Sequence, residues 1–322
     1  MHSRDYNPLF VFIQLNKEFM DNWVIIALFS AGVSGLVSIF DKTVLYRYVT
    51  NSHTLPVIIA LIQMTFGILT ILIVSTFETI QLQYFFWPFI AGALFGLQGH
   101  LFLKVTFSNE VTRTVPFSQI YPIFTAFFAL LFLDENILLY QWAGIILVVI
   151  GAILIVMDFS GDFWKIKIID KAFGLLIIGS LLYSAANITS KLAVEEASII
   201  QVHAVRMFAL GFIFFLLNFR RDSYLDLKNM IQSKSKGFLF VFGNEVVLVN
   251  IHFYLALLAL SLGPVSLVTA ILSVRSLFLL LFTLLVSILF NWSIGESVSP
   301  KIILIKALST TVIVIGLVLL VI

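Results

Sequence analysis

Long apolar runs broken by short polar gaps fill nearly the whole of this chain. A membrane-spanning helix needs about 20 apolar residues. Runs of that length fall at about 22–45, 55–76, 84–107, 111–133, 138–157, 171–191, 199–217, 237–261, 265–290 and 302–322. The runs are continuous rather than alternating at period two, which predicts helices and not the strands of a barrel. Lipid offers backbone N–H and C=O groups no partners, so each spanning segment must satisfy them internally. The expected fold class is therefore an all-α integral membrane protein with ten transmembrane helices. The longest polar gaps, 158–170 and 218–236, leave no room for a soluble catalytic domain. Residues 1–21 are polar and of mixed charge, with no small-residue cleavage site, and read as a tail rather than a signal peptide.

The two halves of the pattern resemble each other. The first span ends in Phe40-Asp41-Lys42 and the sixth in Thr189-Ser190-Lys191. Gln63 follows Pro56 by seven residues in the second span, as Arg206 follows Ile199 in the seventh. Asp134-Glu135 leads into a helix with Gly144 and Gly151, and Gly295-Glu296 leads into a helix with Gly316. Five spans per repeat is odd, so the second repeat enters the membrane from the opposite side. Two inverted five-helix repeats, 22–157 and 171–322, are expected, with 158–170 as the linker. Inverted repeats place a site near the bilayer midplane between the halves.

Composition sharpens the picture. The chain is 61% hydrophobic and 11% charged, against about 25% charged for a soluble domain, and its mean hydropathy is +1.09. It has no cysteine, which excludes disulfides and thiolate metal sites. The net charge of +2 is too small to imply nucleic acid. No nucleophile–base pair, metal-ligand cluster or phosphate-cradling glycine loop stands out, so no catalytic residue, metal or cofactor is expected. A small-molecule substrate and the lipid bilayer are the expected partners.

Ionisable residues inside a membrane are costly and usually face a cavity or a partner. In the eighth span Glu245 and His252 stand seven apart on one helix face, and both can carry a proton. Asn250 lies beside them. Arg206 in the seventh span and Arg275 in the ninth are the candidate partners of Glu245, or the grip for a substrate carboxylate or phosphate. His100 and Lys104 share a face of the third span. Lys104 and Arg113 can equally extend their heads to the interface, as can Lys191. Gly92, Gly96, Gly99, Gly144, Gly151, Gly174 and Gly179 read as close-packing sites between helices. Pro116, Pro122 and Pro264 mark helix starts or kinks.

The stretch from Pro116 to Val156 is the most telling. It holds Tyr121-Pro122-Ile123, the acidic turn Asp134-Glu135, then Trp142-Ala143-Gly144 and Ile150-Gly151. In these features the chain resembles the ten-helix EamA-type transporters of the drug/metabolite transporter superfamily, over about residues 22–322. The second half departs from the pattern: Arg275 stands where the counterpart of Pro122 would sit, and residues 291–300 lengthen the following turn. The resemblance implies a secondary transporter, an exporter, in the cell (inner) membrane. It implies that the first four helices of each repeat surround a cavity, with the fifth and tenth peripheral at a possible homodimer contact, and that both termini are cytoplasmic. Lysine and arginine counts argue the reverse orientation. Loops on the terminus side carry Arg4, Lys17 and Lys191, while the opposite loops carry ten such residues.

The expected function is alternating-access transport of a small polar metabolite. The candidate substrate residues are Arg206, Arg275, Glu245, His252, Asn250, His100, Lys104 and Tyr121, with Glu245 and His252 as the proton-coupling candidates. Lys104, Arg113, Arg206 and Arg275 outnumber the one deep acid, Glu245, which favours a carboxylate- or phosphate-bearing solute such as an amino acid. The rivals are a lipid-linked sugar flippase on the same fold, with a lateral opening, and an intramembrane lipid-modifying enzyme, with acid/base groups converging near the interface.

Overall fold

The computed structural model describes residues 23–41, 53–77, 81–108, 118–156, 171–232, 236–290 and 300–322. The tail 1–21, the linker 158–170, Arg113 and Pro116 lie outside the described residues. Every regular element described is helical. In chain order they are α1 (Trp23–Asp41), α2 (Thr54–Val74), a 3-10 turn (Leu82–Phe85), α3 (Phe86–Ser108), α4 (Tyr121–Phe132), α5 (Leu139–Val156), α6 (Lys171–Glu196) and α7 (Ile199–Asn218). Next come α8 (Arg221–Gln232), α9 (Lys236–Gly243), a π-helical turn (Asn244–Val249), α10 (Asn250–Leu262), α11 (Val265–Leu272), α12 (Arg275–Phe290) and α13 (Pro300–Val321).

Seven helical stretches are long and apolar enough to cross a bilayer, and three shorter apolar helices, Tyr121–Phe132, Leu139–Ile155 and Ile305–Val321, accompany them. The shorter three fall in the fourth, fifth and tenth expected spans. Pro122 sits in the first turn of α4, and Pro264 immediately precedes α11. Both mark helix starts, where the missing N–H costs nothing. Three features were not visible as apolar periodicity. The polar gap after α7 holds the amphipathic helix α8, which turns Leu227 into a cluster with Leu55, Ile58 and Val241. The eighth span carries the π-helical turn at Glu245. The ninth is broken at Ser273-Val274, so Arg275 opens a new helix.

Glycines set the closest approaches. α2 runs along α7, where Gly67 meets Ala204 and Phe208 and Gly211 meets Ala60 and Met64. α5 runs along α13, with Gly144 and Gly316 against each other's carbonyls and Gly151 against Ser309 and Ile313. Gly92, Gly96 and Gly99 of α3 lie against Arg206, Ile213 and Phe214 of α7. Small residues let helices approach where lipid supplies no hydrophobic drive. Gly174 and Gly179 depart from expectation. A Cβ at Gly174 would meet nothing within 4 Å, and one at Gly179 only the Gln98 Cγ at 3.9 Å.

The turn between α10 and α11 is held from both sides. Glu135 accepts hydrogen bonds from the Val265 N–H at 2.5 Å, the Ser266 N–H at 3.1 Å and the Ser266 hydroxyl at 2.6 Å. This is a carboxylate at a helix N-terminus, where the free N–H groups and the dipole favour it. Lys191 donates to the Leu260 carbonyl at 2.9 Å, at the opposite end of the same turn. Lys191 therefore caps the last carbonyls of α10, whereas the sequence suggested a head extended to the interface. Asp134 tolerates a φ of 50° just before Glu135, a conformation Asp adopts more readily than most residues.

Candidate substrate cavity

The helices enclose a cavity of about 260 Å³. α1, α2, α3, α6, α7, the π turn, α10 and α12 all reach it, together with the residues that open α4. No described residue of α5 or α13 lines it, and those two helices pack on each other at the periphery. The wall is mostly apolar and aromatic, with Phe95, Phe102, Phe214, Phe253, Tyr121 and Tyr183. Charge is confined to Asp41, Glu245 and Arg275, with His252 beside them.

Four sequence candidates reach this wall: Glu245, His252, Arg275 and Tyr121. Glu245 is 3% exposed and sits in the first turn of the π segment. Its partner is Gln63 of α2, not an arginine. Gln63 Nε2 donates to Glu245 Oε2 at 2.9 Å and to the Glu245 carbonyl at 3.1 Å. The wider π turn frees that carbonyl from the ordinary ladder, and Asn250 Nδ2 also donates to it at 2.7 Å. His252 is tied to α1. Its Nδ1 lies 3.1 Å from the Ser30 carbonyl, while the Ser30 hydroxyl donates to the His252 carbonyl at 3.0 Å. The Ser30 hydroxyl also stands 2.9 Å from Nδ1, so which ring nitrogen carries the hydrogen depends on the tautomer. The Tyr121 hydroxyl donates to the Thr269 carbonyl at 3.2 Å, across to α11.

Arg275 opens α12 and makes no hydrogen bond among the described residues. It lies within electrostatic range of Asp41, Tyr121, Tyr183 and His252. This guanidinium is a cation on the cavity wall whose donors are uncommitted.

The other candidates lie elsewhere. Arg206 is 1% exposed and sits behind the wall. It donates to the Phe253 carbonyl at 2.7 Å and to the Ser190 hydroxyl at 3.2 Å. Its guanidinium is 5.4 Å from the Phe95 ring centre and 5.3 Å from that of Phe253. Arg206 thus braces two aromatic residues of the cavity, and Glu245 takes Gln63 as its partner instead. Asn250 is spent on the π turn and is absent from the wall. His100 lies at the bundle end, where its Nδ1 and that of His53 both stand 3.1 Å from Asn218 Oδ1. Lys104 is exposed.

The cavity's charge balance therefore reverses the sequence count. Of the four cations counted there, Arg275 alone lines the cavity among the described residues, and it faces two carboxylates. The added acid is Asp41, expected at a loop-facing helix end. It accepts a hydrogen bond from Asn244 Nδ2 at 2.9 Å and lies within electrostatic range of Glu245. Its signal was its place near the end of the first span. Gln63 and Tyr183 carry no charge and gave no such signal.

The described residues form a multi-pass helical membrane protein around a cavity with charged residues on its wall. Residues 19–157 match the model of the EamA-like transporter family, so the resemblance read from the motifs holds over α1 to α5. That match agrees with the drug/metabolite transporter superfamily. No curated protein matches the chain. Among 26 matching chains of solved structures is one described only as the crystal structure of a protein. It aligns with 92% of this chain and 97% of its own, at a TM-score of 0.67 and 14% identity. At that identity the likeness is one of fold.

Proposed function

We propose that the protein is a secondary transporter, working as an exporter, that moves a small polar metabolite by alternating access. Arg275 holds a carboxylate or phosphate of the solute, and Glu245, with His252 on the same wall, carries a proton-linked step. An amino acid fits this reading: a charged head meets Arg275 and an apolar body meets the phenylalanines. The observation that carries the proposal is the guanidinium of Arg275, without a hydrogen bond among the described residues, on the wall of a largely apolar cavity.

The frame we propose is ten spans in two inverted repeats, 22–157 and 171–322. The helix contacts support it. Exchanging the halves pairs α2 with α7, α4 with α11, and α5 with α13, and each of these pairs is in contact. The same exchange turns the packing of α3 on α6 and α7 into that of the eighth span on α1 and α2. The Ser30–His252 and Gln63–Glu245 bonds occupy those places. The glycine faces of α5 and α13 are used on each other, so a homodimer would meet through their outer faces, where Ile146, Ile150 and Ile315 are exposed.

The test is uptake of labelled amino acids by the reconstituted protein. A hydrogen bond to a charged group contributes about 1.5–3 kcal/mol, or roughly ten- to a hundredfold in affinity. Arg275→Gln is expected to raise KM by at least about tenfold, with partial recovery in Arg275→Lys. An unchanged KM in well-folded Arg275→Gln removes Arg275 from the solute.

A further inference from the structure

We infer that the oxygens of Asp41, Glu245 and Gln63 form a binding site for a monovalent cation, either a free Na⁺ or the ammonium group of the transported solute. The inference rests on the transporter reading and adds what is bound at its acidic wall.

Asn244 Nδ2 donates to Asp41 Oδ1, and Gln63 Nε2 donates to Glu245 Oε2, each at 2.9 Å. An ionised carboxylate only accepts, so both amides must turn their NH₂ groups toward the acids. That choice strands their oxygens. Gln63 Oε1 and Asn244 Oδ1 are buried with no hydrogen-bond partner among the described residues. Gln63 is fully buried and shares the cavity wall with both acids. Asp41 Oδ2 and Glu245 Oε1 also make no hydrogen bond among the described residues. Gln63 Oε1 thus lies without a partner beside the Glu245 carboxylate, and Asp41, Gln63 and Glu245, from α1, α2 and the π turn, line the same chamber.

An unsatisfied buried acceptor is costly, and two carboxylates in range of each other cost more. Arg275 relieves this only in part: it lies within electrostatic range of Asp41 but hydrogen-bonds neither acid among the described residues. A bound cation relieves the rest. The donor set is all oxygen, which suits a hard ion. It is also small. Ca²⁺ takes six to eight oxygens and Mg²⁺ a near-ideal octahedron, so a singly charged ion or an ammonium with its three N–H donors fits better. Glu245 enters the site from a π-helical turn, a feature that often marks functional positions. A proton and a cation are alternative occupants of the same carboxylates. Loading one releases the other, which links cation entry to the proton step assigned to Glu245.

The experiment is thermal unfolding of the purified full-length protein in detergent. Ionic strength is held constant with N-methylglucamine chloride while NaCl, methylammonium chloride or CaCl₂ replaces it. A ligand that binds only the folded state raises Tm in a saturable way. Wild type is expected to gain a few degrees in Na⁺ if the site takes a free ion, or in methylammonium if it takes the solute's ammonium. Asp41→Asn and Glu245→Gln are each expected to lose the gain. Equal Tm in all four salts overturns the proposal, as does a gain from Ca²⁺ alone or a full gain retained in Glu245→Gln. The wild-type titration decides even if a variant fails to fold. Uptake of a labelled amino-acid mixture by the same preparation separates the two readings. Flux without a cation-dependent gain in Tm removes the cation site alone; a gain without flux removes the transporter reading alone.

Discussion

Glu245→Gln is expected to abolish pH-driven uptake while leaving counterflow exchange partly intact. Glutamine keeps the size and one oxygen of the side chain and can still meet Gln63, now 2.9 Å from Oε2. It cannot ionise, so a cycle that loads a proton on one side and releases it on the other has nothing to carry. Exchange of solute for solute needs only the cavity to open and close, and it runs without that proton. Uptake into liposomes under an imposed pH gradient, beside exchange at equal pH, separates the two. If Glu245→Gln still concentrates solute at the wild-type rate, the coupling group is another residue.

The second large effect is steric. A Cβ at Gly92 would overlap the Arg206 carbonyl and crowd Ala209, so even Gly92→Ala must push α3 and α7 apart. Overpacking of this kind costs about 1–3 kcal/mol. The displaced residue here is the arginine that braces Phe95 and Phe253, so the cavity wall moves with it. Gly174→Ala is the matched control, because nothing lies within 4 Å of its added methyl. In a helix it should be neutral or better, since alanine exceeds glycine by about 1 kcal/mol in propensity. Thermal unfolding should show a clear fall in Tm for Gly92→Ala and none for Gly174→Ala. Equal effects would mean that α3 and α7 do not need the close approach.

These contrasts show what the sequence could and could not reveal. Apolar length exposes spanning helices directly, because lipid leaves the backbone one solution. The expense of charge in hydrocarbon points to Glu245, His252 and Arg275, and all three reach the cavity. The same rule fails for Arg206. A buried guanidinium can be satisfied by a water-filled chamber or by a neighbouring helix's carbonyl, and Phe253 supplies the second. Sequence spacing cannot choose between them. It also counted charges without knowing which way they face, which is why an apparent excess of cations became two carboxylates against Arg275. The π turn is invisible to a regular 3.6-residue pattern, yet it frees the Glu245 carbonyl for Gln63 and Asn250. Gln63 is uncharged and marked only a position matched between the halves, and Tyr183 gave no signal, so their place on the wall comes from the structure. The helix α8 was lost in a polar gap because its buried face is short and partly polar: Leu227 joins an apolar cluster, and Asp226 accepts a hydrogen bond from Thr54 at 2.8 Å.

The central claim is that one cavity opens in turn to each side of the membrane. The absence of cysteine makes it directly testable. Ser180 of α6 lines the cavity and is 3% exposed, and Ser180→Cys changes little but the atom that reacts. In sealed vesicles of known orientation, a membrane-impermeant maleimide is added to the outside or trapped inside. Labelling of Ser180→Cys is expected from either side, with transported solute slowing both reactions. Labelling from one side alone, whatever the solute, would contradict it.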